Sequence, residues 1–194
     1  NLQSANTNEE LQKLAKDASK PLSKHSDDIM LNQALFERVA EVYKQKDQLE
    51  LSTEQQTLLD KTYKRFARNG AALNDSDKEK LREINEELSL LTLQFDENLL
   101  AETNAFQLVI ETKADLAGLP QSVINGAAEA ATGAGHEGKW MFTLQKPSLI
   151  PFLQYAENRD LREKIFKAYI NRGNNNNDRD NKEIASKEAA LRVE

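Results

Sequence analysis

Apolar residues recur every three or four positions along most of this chain, and every second position in two short runs. The first spacing is that of one helix face and the second that of a half-buried strand. From Thr7 to Ser19, Leu11, Leu14, Ala15 and Ala18 share a face. Thr7 with Glu10 reads as a capping box, and Pro21 is expected to end the helix. A second helix is expected from Ser26 to about Gln45, with an apolar stripe of Leu31, Leu35, Val39 and Val42 flanked by Phe36 and Tyr43. Ser52 with Gln55 caps a third, which carries Leu59, Tyr63 and Phe66 and stops at Asn69-Gly70. The longest starts near Ser76, with Glu79 completing a capping box. Its stripe of Leu81, Ile84, Leu88, Leu91, Phe95 and Leu99 suits a seam between antiparallel helices.

At Phe106 the period changes. Phe106, Leu108 and Ile110 alternate with polar or outward positions, and Trp140, Phe142 and Leu144 do the same. These two runs predict one short two-stranded element, Phe106–Ile110 with Trp140–Leu144, in either orientation. Between them lies an Ala-rich helix ending at Gly133. Ser148 and Asn158 are expected to cap two further helices, the second stopping at Arg172-Gly173. A polar loop over 174–180 leads to a last helix over 180–194 that lacks a stop signal. The pattern therefore predicts a mainly α fold, a multi-helix lobe with one β element. It divides into a bundle over 7–104, the β element with its helical insertion over 106–145, and helices over 148–194.

Composition narrows the possibilities. The chain has 194 residues, a net charge of -6, and 26 basic against 32 acidic residues. Such a mixed, mildly acidic surface argues against nucleic acid as a partner. There is no Cys, so no disulfide framework and no thiol chemistry. No apolar run reaches the roughly 18 residues of a membrane span. The start, NLQSANTNEEL, has no signal-peptide core.

Two motifs are tempting. Gly133-Ala134-Gly135-His136-Glu137-Gly138 matches G-x-G-x-x-G, but a helix precedes it and a strand follows. A pyrophosphate cradle needs the reverse order, so the glycines read as a turn. His136-Glu137 begins like H-E-x-x-H, yet Trp140 stands where the second ligand belongs. The only other histidine is His25. Acid pairs such as Asp27-Asp28 and Glu86-Glu87 are ordinary on helical surfaces. No catalytic residue and no metal ligand is assigned from these patterns.

The stretch GKWMFTLQKPSLIPFLQYAENRDLREKIFKAYINRG from Gly138, followed by DNKEIASKEAALRVE, resembles the thimet-oligopeptidase-like zinc metallopeptidases. That family includes oligopeptidase A and the bacterial peptidyl-dipeptidases. The resembling signature surrounds Arg162, Tyr169, Arg172 and Gly173. DDIMLNQALFERV from Asp27, RFARNGAALND from Arg65 and LSLLTLQFDENLL from Leu88 look similar too, so the resemblance runs through essentially the whole chain.

The resemblance implies a longer helical enzyme with a channel between two lobes and a zinc-binding H-E-x-x-H downstream of this region. None of those zinc-site residues occurs here. This chain is then expected to be the N-terminal lobe, cut within the segment LRVE. It would be inactive and zinc-free alone, forming a wall of the channel and facing a missing catalytic lobe. The parent would hydrolyse short peptides, as an oligopeptidase or as a peptidyl-dipeptidase releasing C-terminal dipeptides. Tyr169 and Arg172 are the candidates for substrate contact, with packing and helix termination as the alternative. The expected compartment is the cytoplasm, with the periplasm as alternative. Weak self-association through the last helix is also expected. The rival reading is a free-standing helical interaction module without catalysis.

Overall fold

A computed structural model gives the fold and describes residues 7–194. The described residues form eight α-helices, two short 3-10 turns and one two-stranded sheet. They divide into two compact units. One comprises residues 7–93 together with Glu188–Glu194, and the other Gln94–Lys187.

In the first unit, α1 (Glu9–Met30), α2 (Gln33–Lys44) and α3 (Thr53–Arg68) precede the start of α4 (Asp75–Ala105). Asn8, rather than Thr7, caps α1, its side chain accepting from the Leu11 N–H at 2.8 Å. Pro21 does not end the helix; it lies inside it. Four polar links tie α1 to the first half of α4: Ser19 with Ser89, Lys20–Glu86, Asn85 to Asp27, and Arg82–Asp28. They hold the turns on both sides of the proline, so tertiary contact outweighs the missing N–H.

The break falls instead at Leu31-Asn32, where the Asn32 side chain caps α2 by accepting from the Leu35 N–H. The helix expected over 26–45 is thus two helices. The inward face of α2 also differs from expectation: Phe36 is buried, whereas Leu35 and Val42 are exposed. Aromatic stacking sets this rotation. The Phe36 and Tyr63 rings lie 5.9 Å apart, and Tyr43 stacks on Tyr63 at 4.0 Å. Phe36, Phe66 and Ala71 form this unit's buried cluster. The Ser52–Gln55 capping box is present as expected. Asn74, not Ser76, caps α4, accepting from the Asp77 N–H at 2.9 Å. The apolar stripe of α4 is half-buried rather than sealed.

In the second unit, β1 (Leu108–Ile110) pairs antiparallel with β2 (Trp140–Phe142), Leu108 opposite Phe142 and Ile110 opposite Trp140. Helix α5 (Gln121–Gly133) lies between them in sequence and packs on β2. Then come α6 (Lys146–Tyr155), α7 (Arg159–Ile170) and the start of α8 (Lys182–Leu191). Leu108, Ile110, Leu116, Phe142, Leu149, Phe152 and Ile165 centre the core, with the Phe142 and Phe152 rings 4.5 Å apart. Helix α6 starts two residues before Ser148. The Ser148 hydroxyl instead accepts from the Thr143 N–H at 3.0 Å and fixes the turn out of β2. Asn158 caps α7 as expected. The last helix begins at Lys182, and its Ile184 is buried.

Candidate functional site

Tyr169 and Arg172 lie where α7 ends. The chain turns there through Gly173, whose φ of +71 is left-handed. A Cβ at Gly173 would meet the Asn181 side chain at 2.8 Å, so the position demands glycine for space as well as for conformation. Arg172 folds back on its own helix end. Its Nε donates to the Tyr169 carbonyl at 2.9 Å, satisfying one of the orphan carbonyls of α7. Its Nη1 donates to the Thr103 hydroxyl on α4 at 2.7 Å, and Thr103 in turn donates to the Leu99 carbonyl. The guanidinium carbon sits 3.9 Å from the centre of the Tyr169 ring, a cation–π contact. Two hydrogen bonds and one ring face hold the cation in a single place.

A hollow of about 350 Å³ opens beside it. Helix α4 supplies Asp96, Leu99, Leu100 and Thr103, and the corner between β2 and α6 supplies Leu144, Gln145 and Lys146. Tyr169 and Arg172 complete the lining. The two residues singled out in the sequence therefore share one concavity. Sequence reasoning missed Thr103, Lys146 and Asp96, because no spacing rule links positions 96–103 to 144–146 and 169–172.

Below this site the loop over 174–180 is clamped by Glu102, which is buried on α4. Its carboxylate accepts from the Gly173 N–H and from the side-chain amides of Asn175 and Asn177. Burial alone would push this carboxyl up. The three donors and the charge of Arg179 outweigh it and hold the group below the ordinary glutamate value. Asn181 completes the clamp, donating to the Phe95 carbonyl and accepting from Asn98. Arg162, also part of the signature, is spent inside the fold, donating to the carbonyls of Ala156 and Glu157 at the end of α6.

No family model matches the chain. Curated relatives do. The chain is 36% identical over 190 residues to the dipeptidyl carboxypeptidase of Escherichia coli, covering 98% of this chain and 28% of that protein. It is 37% identical over 150 residues to a probable cytosolic oligopeptidase A of Arabidopsis thaliana, covering 74% and 21%. Against the oligopeptidase A of Haemophilus influenzae it is 35% identical over 147 residues, covering 74% and 21%. By its sequence the chain belongs with the dipeptidyl carboxypeptidases and oligopeptidases A. It spans about a quarter of the length of these peptidases, 28% at most among the three.

No group of three or more His, Asp or Glu that could hold a metal ion occurs among the described residues. His136 sits 3.3 Å from the Gln107 side chain, and His25 is exposed on α1 in the other unit. The glycine pattern starts at Gly133, the last residue of α5, and ends before β2, so no helix begins behind it. Asp27 is buried, paired with Asn85, whereas Asp28 bridges Lys24 and Arg82 on the surface. Among the described residues no helix is long and apolar enough to cross a membrane.

Proposed function

We propose that this chain is a non-catalytic helical lobe of a zinc metallopeptidase that hydrolyses short peptides, and that it forms one wall of the channel admitting them. The 36% identity over 98% of the chain to a dipeptidyl carboxypeptidase carries the reading. The longer match, 98% of the chain against 74% for the oligopeptidases A at similar identity, favours a peptidyl-dipeptidase releasing C-terminal dipeptides over a general oligopeptidase. In this reading the metal and the general base stand on a catalytic lobe outside these residues, and Tyr169 and Arg172 face the peptide. The compartment is the cytoplasm, with the periplasm as the alternative.

The test is hydrolysis of a quenched fluorescent peptide by the complete product of the encoding gene and by the 194-residue chain alone. Chelator-sensitive turnover by the complete product, absent from the chain, is expected. Turnover by the chain itself, or none by either, overturns the proposal.

A second reading rests on a specific surface. On α2 and α3, Val39, Val42, Leu58 and Leu59 line an apolar hollow, and Leu58 is 67% exposed. A helical interaction module would use such a face. Replacing Leu58 with Ser would then abolish partner binding, whereas the peptidase reading expects hydrolysis by the complete product to survive it.

A further inference from the structure

The cation at the end of α7 is better ordered than its surroundings require. A guanidinium has five N–H donors. Arg172 spends one on the Tyr169 carbonyl and one on Thr103, which leaves about three without a protein partner. No carboxylate pairs with it among the described residues. Lys146 stands on the same hollow, also without an ion pair among the described residues. A surface arginine usually keeps its rotamer freedom, since surface ion pairs contribute little. Here that freedom has been given up to hold a half-buried charge still beside an open hollow.

We propose that this hollow is a carboxylate-binding site, with the Arg172 guanidinium as its anchor and Lys146 as its second cation. Three features select the ligand. The planar fork of Arg172 matches the geometry of a carboxylate. Asp96 lies on the same lining, so the hollow carries two cations against one anion and disfavours a doubly charged phosphate. Leu99, Leu100 and Leu144 supply an apolar wall beside the charges, which suits a carboxylate attached to an amino-acid side chain. That the carboxylate belongs to a peptide rests on the peptidase reading; the anion site itself rests on the geometry. The peptide's own C-terminus and an acidic side chain share this chemistry.

The full 194-residue chain, labelled with nitrogen-15, would be titrated with three short peptides. One is N-acetylated with a free C-terminus, one is its C-terminal amide, and one is the amide carrying an internal Glu. The free-acid peptide is expected to shift the amides of Thr103, Lys146, Tyr169 and Arg172 and to bind about tenfold or more tightly than its amide. Tight binding of the Glu peptide as well would assign the site to side-chain carboxylates too.

Lys146→Gln, on an exposed residue, should weaken binding about threefold. Arg172→Gln should abolish it, with circular dichroism confirming the fold. Equal shifts with acid and plain amide, or none with any peptide, would overturn the site. So would acid binding that both variants retain in full. Carboxylate binding without turnover by the complete gene product would remove the peptidase reading and leave the site. Turnover without carboxylate discrimination would do the reverse.

Discussion

Glu102 shows what a single buried charge does here. Its folded pKa lies below the ordinary value, so its ionised form is favoured by folding. The stability it contributes is complete above the unfolded glutamate value. It is lost as pH falls through the lower, folded value. Glu102→Gln removes the charge and turns one acceptor into a donor facing Gly173, Asn175 or Asn177. A loss of about 1–3 kcal/mol at neutral pH is expected, with a flatter acid limb in urea melts recorded across pH.

Asp27 has the opposite sign. Burial pushes its carboxyl up, against the Asn85 amide and the Arg82 charge, with Asp28 adding repulsion. The unfolded chain releases this proton first, so stability falls as pH rises from the ordinary value to the raised one. Asp27→Asn should therefore raise Tm at neutral pH, by about 2–4 °C per kcal/mol gained, and change nothing in acid. Neither carboxylate was legible in the sequence. The partners of Glu102 lie 71 to 75 residues away, and Asp27 looked like half of a surface acid pair. Caps were legible at Ser52 and Asn158. They were misplaced where asparagine competed nearby, as Asn8 did with Thr7 and Asn74 with Ser76.

At the scale of elements, the 3.6-residue period identified the helices and the change of period found both strands. Their antiparallel pairing needed the packing of α5, which the pattern does not contain. The proline in α1 marks the limit of local reasoning. Pro21 removes the hydrogen bond that its N–H would donate to the Asp17 carbonyl, and its ring crowds that turn. The links from α4 at Lys20, Asp27 and Asp28 keep the helix continuous across it. Pro21→Ala should restore the bond. Part of the gain is offset by a more flexible unfolded chain, so about 1–3 kcal/mol of stabilisation is expected, read by denaturant melts. A loss of stability would mean that a kink at Pro21 is required for those links. The face of α2 was misjudged for a related reason. Leu35 and Val42 fit a helical stripe, but the stack of Phe36, Tyr63 and Tyr43 fixes which side turns inward.

For the whole molecule, fold class and kinship were legible, because each is spread over many positions that agree. The site was only half legible. Tyr169 and Arg172 sit in a recognisable run, but the α4 and β2–α6 residues that make a hollow around them are joined only by tertiary structure. Metal binding tests the whole-chain reading most directly. A zinc site takes three or four His, Asp, Glu or Cys donors on a tetrahedron about 2.0–2.3 Å from the ion. This chain has no Cys and two histidines. Those histidines belong to different units, and His136 already has Gln107 beside it. Carboxylates alone would favour Ca²⁺ or Mg²⁺ over zinc, being hard oxygen donors. After incubation with equimolar zinc and dialysis, the 194-residue chain should therefore retain far less than one zinc per molecule. Its thermal unfolding should not move on adding a chelator. The complete gene product, treated identically, should retain one zinc and lose peptide hydrolysis when the metal is stripped. One tightly held zinc on the chain alone would place the metal centre within these residues and end the non-catalytic reading of this lobe.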